Sequence, residues 1–140
     1  MKGKKKDKKK QMSEAEGSVD PRRALGMAKM REVYGFEADP ANMEGRYLAT
    51  TVDHLFGDIW QGPELNVATR RLITIGAIAA LGEPDLLDIQ FSCALRFGEL
   101  SVEQVREIVL QLTHYVGWPK STAMSGAAER AIANYRKEAQ

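Results

Sequence analysis

From residue 20 onward the chain alternates helix-length apolar stripes with short polar breaks, and each break carries residues that start or stop a helix. Asp20-Pro21 opens the first stripe. Aspartate is a good N-cap, and proline at the first helical position forfeits an N–H that had no partner there. The pattern runs to about Tyr34 and stops at Gly35. Asp39-Pro40 restarts the chain, and Asn42 to about Phe56 reads as a second helix. Gly57-Asp58-Ile59-Trp60-Gln61-Gly62-Pro63 is a connection with one apolar anchor, Trp60.

Asn66 caps a third helix, roughly Val67 to Leu81, closed by Gly82. Leu72, Ile73, Ile75, Ala77, Ile78, Ala79, Ala80 and Leu81 leave it almost no polar face. A helix that is apolar all round is expected to be buried all round, either at the centre of the domain or in a subunit interface. Pro84 opens a fourth helix, about Pro84 to Phe97, closed by Gly98. Ser101 with Gln104 forms a capping-box pattern ahead of a fifth helix. That helix sets Val102, Val105, Ile108, Val109, Leu112 and Val116 on one stripe and ends at Gly117. Pro119 starts the last helix, about Lys120 to Arg136, with Ala123, Ala127, Ala128, Ala131 and Ala133 giving small residues for close helix approach. No strand pattern competes, so the expected fold class is all-α, with about six helices and short loops.

Composition changes this picture in one place. The 140 residues carry 20 bases and 19 acids, an ordinary balance for one soluble domain, but seven of the lysines and a single aspartate fall in residues 1–10. The other 130 residues therefore hold 13 bases and 18 acids. Residues 1–19 read as a disordered, Lys-rich arm that repels itself and buries nothing, and residues 20–140 as the folded domain. The arm invites a nucleic-acid or anionic-membrane reading, but the body carries no zinc-finger spacing or RNA-binding sheet motif, so nucleic acid is not the expected partner. No apolar run approaches the ~20 residues a membrane span needs, and the lysine-rich start has no apolar stretch behind it, so no signal peptide is expected. Cys93 stands alone, and a reducing cytoplasm is the expected compartment.

The chain shows no Gly-rich phosphate loop, no HExxH pair and no CxxC, and neither a metal nor a cofactor is expected. His54 and His114 lie far apart. His114 sits one turn before Gly117-Trp118-Pro119, where it either faces a cleft lined by Tyr115 and Trp118 or simply complements the negative end of its helix. Gln90 and Cys93, three residues apart, share a helix face. Cys93 lies mid-helix between Phe91 and Ala94 and reads as a small buried hydrophobe. Arg70 and Arg71 interrupt an apolar helix near its positive end, so they either pair with acids on a solvated face or bind an anion. Arginine holds a carboxylate through two parallel bonds, which makes a carboxylated small molecule a reasonable substrate.

These residues carry a family resemblance. Phe56-Gly57-Asp58-Ile59-Trp60-Gln61-Gly62-Pro63-Glu64-Leu65 resembles the WGxIWxxPGL connection of the carboxymuconolactone decarboxylase family. Thr69-Arg70-Arg71-Leu72-Ile73-Thr74-Ile75 is similar to its TRSLLTI helix, and Ala80-Leu81-Gly82-Glu83-Pro84-Asp85-Leu86 to its ALGRPEEL turn. Glu103 to Gln111 resembles EEIxEVLLQ, and Tyr115-Val116-Gly117-Trp118-Pro119 resembles YxGxP, with order and gaps kept over about residues 24–136. The resemblance implies an alkyl hydroperoxidase D-like helical bundle assembled as a homo-oligomer, a trimer or hexamer. It implies either decarboxylation of a lactone dicarboxylate in aromatic catabolism or a thiol peroxidase cycle. This sequence departs from the peroxidase branch, with Glu83 and Leu86 where its two cysteines fall and Arg71 where its relay glutamate falls. Both branches carry a histidine where this chain has Gln90. Glutamine cannot transfer protons near neutral pH, though it can hydrogen-bond a substrate.

The expected function is acid/base decarboxylation of a small carboxylated lactone, with His114 as acid or base. Gln90 orients the substrate, Arg70 or Arg71 holds its carboxylate, Trp60 and Trp118 wall the pocket, and Cys93 lies alongside. Two alternatives stand beside it: a non-catalytic, oligomeric small-molecule-binding protein, and a peroxidase-related oxidoreductase without the dithiol cycle. A third and weaker one anchors the lysine arm to nucleic acid or membrane.

Overall fold

The computed structural model describes residues 20–36 and 45–140. The expected arm and the Asp39-Pro40 and Asn42 restart lie outside the described residues. Those residues form six α-helices and no strand, which bears out the all-α fold class. The helices are α1 (Pro21–Tyr34), α2 (Arg46–Thr50), α3 (Val67–Leu81), α4 (Pro84–Arg96), α5 (Val102–Val116) and α6 (Trp118–Glu138). Among the described residues no helix is long and apolar enough to cross a membrane. The described residues divide into two compact units, 20–32 with 36 and 45–61, and 33–35 with 62–140.

In the first unit, the Asp20 carboxylate accepts from the Arg22 N–H at 2.9 Å and caps α1 as its sequence predicts. Gly26 brings α1 against the backbone at Val52: a Cβ there would lie 2.0 Å from the Val52 carbonyl oxygen. Arg23 clamps the Asp53 carboxylate with two bonds of 2.9 and 2.7 Å, and their side-chain hydrogen bond holds the Asp53 carboxyl below its ordinary range. The expected second helix is not α-helical throughout. After Thr50 it widens into a π-helical turn, Thr51–Phe56, in which the Gly57 N–H reaches back five residues to the Val52 carbonyl at 2.8 Å. The Thr50 and Thr51 hydroxyls donate to the Arg46 and Tyr47 carbonyls at 2.8 and 3.0 Å, bonds that bend a helix.

The second unit carries the main core. Ile75, Ile78 and Ala79 of α3, Leu87, Phe91 and Leu95 of α4, Val105 of α5, and Met124, Ala127, Ala128, Ala131 and Ile132 of α6 are all buried. Of the five alanines expected to form a close-packing stripe on α6, Ala127, Ala128 and Ala131 do so, while Ala123 and Ala133 face solvent. The Asn66 side chain caps α3 and the Ser101–Gln104 box caps α5, both as read from the sequence. Helix α3 departs from its expected all-round burial. Arg71, Ile75, Ile78 and Ala79 face inward, but Ile73 is 59% and Leu81 72% exposed, with Leu72 beside them. One chain covers one side of this helix and leaves the other apolar and open.

Gly26→Ala is expected to lower stability by about 1–3 kcal/mol, because two backbone segments must separate to admit the methyl group. Gly76→Ala, in α3 with nothing within 4 Å of the added carbon, is expected to raise it by about 0.5–1 kcal/mol. Urea denaturation of the two variants checks both signs.

Candidate functional site

Arg71 shares its inward face with Ile75 and Ile78, four and seven residues on, so helical spacing delivers a guanidinium into the core. Its side chain is 1% exposed. Nε donates to Glu99 Oε2 at 2.5 Å and Nη2 to Glu99 Oε1 at 3.1 Å. Nη2 also donates to the Val33 carbonyl at 2.6 Å, and Nη1 to Gln90 Oε1 at 3.0 Å. Gln90 in turn donates from Nε2 to the Tyr34 hydroxyl at 3.2 Å. No buried side-chain nitrogen or oxygen among the described residues is left without a partner. A buried charge is tolerable only when it is paired and its donors are satisfied, and this network meets both conditions.

The structure therefore brings two expected site residues, Arg71 and Gln90, into direct contact. The carboxylate Arg71 holds is that of Glu99, supplied by the loop between α4 and α5. The gap beside it, lined by Ala68, Leu72 and Leu100 as well as the pair, measures about 20 Å³, room for roughly one water. Glu99 was missed by sequence reading because an acid after a loop glycine has no periodic signal. Cys93 is buried, with Sγ 3.8 Å from the Tyr34 carbonyl. Burial pushes its thiol pKa up, against an opposing pull from Arg71 and Arg96, so the nucleophilic thiolate is disfavoured at neutral pH. Arg70 donates to the Leu65 and Gly62 carbonyls at 3.1 and 2.9 Å and ties down the loop ahead of α3. Trp60 lies in the first unit, stacked on Phe56 at 5.7 Å between ring centroids.

His114 lies elsewhere, on the exposed end of α5, and shares no hydrogen bond or ring contact with Gln90, Arg70 or Arg71. Its Nδ1 is 3.0 Å from the Leu110 carbonyl. A carbonyl only accepts, so Nδ1 carries the proton and Nε2 keeps a free lone pair in the neutral ring. The ring meets Trp118 edge-on, centroids 5.9 Å apart at 73°. Gly117, at φ +84°, turns the chain so that Trp118 can open α6. Leu110 and Trp118 both line a cleft of about 440 Å³ between α5 and α6. Its remaining walls are Arg106, Val109 and Thr113 of α5 and Ser121, Thr122, Ser125, Ala128 and Glu129 of α6. Tyr115, expected to line this cleft, points into solvent at 77% exposure. Arg106 donates to both Glu129 oxygens at 2.8 and 2.9 Å, and that hydrogen bonding lowers the Glu129 carboxyl from its usual range.

A second, mainly apolar groove of about 450 Å³ runs between α3 and α5, floored by Leu72, Ile75, Gly76, Leu100, Ile108 and Leu112. Among the described residues, no group of three or more His, Cys, Asp or Glu side chains is placed to hold a metal ion.

Arg71→Met strands the Glu99 carboxylate and is expected to cost about 3–5 kcal/mol of unfolding free energy, as is Glu99→Leu, which strands the guanidinium. The double variant is expected to recover most of that loss, because no uncompensated charge remains. A double-mutant cycle by chemical denaturation measures the coupling.

The profile of the carboxymuconolactone decarboxylase family matches residues 45–130, more than half of the chain. A protein of Acinetobacter baylyi named 4-carboxymuconolactone decarboxylase is 32% identical over 77 residues, covering 55% of this chain and 57% of that protein. The chain thus aligns with little more than half the length of that relative. No solved structure matches. With the family profile matched over more than half of its length, Trp60 and both arginines of α3 included, the chain belongs to the carboxymuconolactone decarboxylase family.

Proposed function

We propose that the chain removes carbon dioxide from a small carboxylated lactone by acid/base chemistry, in the cleft between α5 and α6, with His114 as the proton carrier. The carrying observation is the placement of that ring: Nδ1 is fixed on the Leu110 carbonyl, and the ring meets edge-on the Trp118 side chain that walls the cleft. When a carboxylate leaves as CO2, its bonding pair stays on carbon and spreads onto the lactone carbonyl as an enolate. Nε2–H of the protonated ring delivers the proton that closes the reaction. Trp118 offers a flat wall for the lactone ring. Arg70, Arg71, Gln90 and Cys93 are engaged with the chain itself and hold the scaffold. The name of the Acinetobacter relative supports this reaction class, and a reducing, cytoplasmic setting suits a single buried thiol.

The same reading includes a homo-oligomer, a trimer or hexamer. The open side of α3, with Ile73 and Leu81, and the neighbouring Leu86 and Ile89 of α4 leave more apolar surface uncovered than an isolated subunit favours.

A second reading, a family member that binds without turnover, is favoured by one observation. Gln90 stands where the resemblance places a histidine, and its amide is already engaged by Arg71 and Tyr34.

With 4-carboxymuconolactone as probe, His114→Ala is expected to lower kcat by about 10²-fold or more without changing Tm, since the side chain is exposed. Unchanged turnover in that variant rules out the mechanism, and a ligand-induced rise in Tm with no CO2 release establishes the second reading. Light scattering is expected to return a multiple of the 15.6 kDa chain mass. Ile73→Glu is expected to reduce it towards a single subunit, and a native protein that runs as a stable monomer refutes the assembly.

A further inference from the structure

Helical spacing gives α5 two lined faces. Arg106, Val109 and Thr113 line the cleft against α6, while Gln104, Glu107 and Gln111 fall on the opposite side and line the groove against α3. Gly76 keeps that groove open: a Cβ built there meets nothing within 4 Å. Its volume of about 450 Å³ falls in the range of small-molecule sites and is roughly three times the ~150 Å³ of a cavity that holds one benzene ring. The α3 wall is wholly apolar, and α5 adds Ile108 and Leu112. The groove has one polar edge, where Gln104, Glu107 and Gln111 follow at three- and four-residue steps over about 10 Å of α5.

The charge on that edge is one-sided. No lining residue is basic, and Glu107 is the one acid among them. Among the described residues, the side chains of Glu107 and Gln111 make no hydrogen bond and no ion pair. Elsewhere Glu99, Glu129 and Asp88 are each held by an arginine. Gln104 Oε1 accepts from the Ser101 N–H at 2.8 Å, which leaves Nε2 uncommitted. The groove therefore combines an apolar floor, an unpaired carboxylate and two amides with hydrogen-bonding capacity to spare.

We propose that the α3–α5 groove binds a small apolar molecule carrying one cationic amine, with its body on the apolar floor beside Gly76 and its ammonium group at Glu107. Burial of the body supplies the attraction. The ammonium pairs with Glu107 at the edge of an apolar wall, where the charges are screened less than in open water, and Gln104 and Gln111 flank it with amide groups. Selectivity follows from the same carboxylate, because an anionic ligand of equal size meets repulsion with no cation to offset it. The site is thus separate from the α5–α6 cleft and from His114, and it disfavours the carboxylated molecules assigned there. It is also distinct from the apolar stripe of Ile73, Ala77 and Leu81, which lies about 100° round α3 from Leu72 and Gly76, so a partner subunit covering that stripe does not by itself fill the groove.

2-Phenylethylamine is the probe, titrated calorimetrically into the full chain at fixed ionic strength, with 2-phenylethanol and 3-phenylpropanoate as its neutral and anionic counterparts. The expected order of affinity is amine, alcohol, carboxylate. Glu107→Gln is expected to bind the amine about fivefold more weakly and to leave the alcohol unchanged. Gly76→Leu fills the open space from α3 and is expected to abolish binding of both. Asp85→Asn removes the same charge outside the groove and is expected to leave every affinity as it was. The proposal is overturned if the native chain does not bind the amine at millimolar concentration, if the carboxylate binds as well as the amine, or if the Glu107 and Asp85 variants weaken the amine equally. Light scattering on Gly76→Leu covers the remaining occupant: a lower assembly mass in that variant, with no amine bound by the native chain, gives the groove to a second copy and likewise overturns the proposal.

Discussion

A guanidinium in the middle of an apolar core is the constraint around which the second unit is built. Arg71 is buried among the residues that pack α3 against α4 and α6, and an unpaired charge there would cost several kcal/mol. Its neutralisation recruits three separate pieces of chain: the α4–α5 loop through Glu99, the middle of α4 through Gln90, and the end of α1 through Val33. Each contact fixes a register. The five bonds from Arg71 and Gln90 specify where those segments sit more narrowly than packing of Leu and Ile side chains alone, which tolerates repacking.

The two clearest departures from the family resemblance meet in that network. By that resemblance, Arg71 falls at the peroxidase branch's relay-glutamate position and Gln90 at the histidine position of both branches. Here the two side chains hydrogen-bond each other at 3.0 Å. Neither arginine nor glutamine exchanges protons near neutral pH. The two side chains form a fixed guanidinium–amide contact, and Cys93 beside it is buried with a raised pKa. The chemistry we assign moves to a surface cleft on a different pair of helices. There the backbone of α5 orients His114, and Trp118 stands against it at the start of α6.

Much of the helical frame was legible because its signals are local. Asp20, Asn66 and the Ser101–Gln104 box cap the helices they were expected to cap, since a side chain bonding an N–H two or three residues away needs no distant partner. The π-helical turn at Thr51–Phe56 was not legible. The wider segment is only six residues long, too short for apolar periodicity to report a change in residues per turn, and threonine back-bonding leaves no mark on that pattern. The candidate site was only half legible. His114 and Trp118 could be paired from their spacing across Gly117, but Arg106 and Glu129 are 23 residues apart on different helices, and no local spacing pairs them.

The sequence by itself determined the all-helical class, the approximate helix ends and the excess of apolar surface on the third helix, because these depend on the order of side chains along the chain. Only the tertiary structure decided which of two adjacent arginines enters the core. Arg70 and Arg71 have the same chemistry, and on a helix they point about 100° apart. The difference emerges only once Glu99 and Gln90 are brought up to one of them and the Gly62 and Leu65 carbonyls to the other. Compensating a buried charge requires partners from distant parts of the chain, and their approach is a property of the packed helices rather than of any local run of residues.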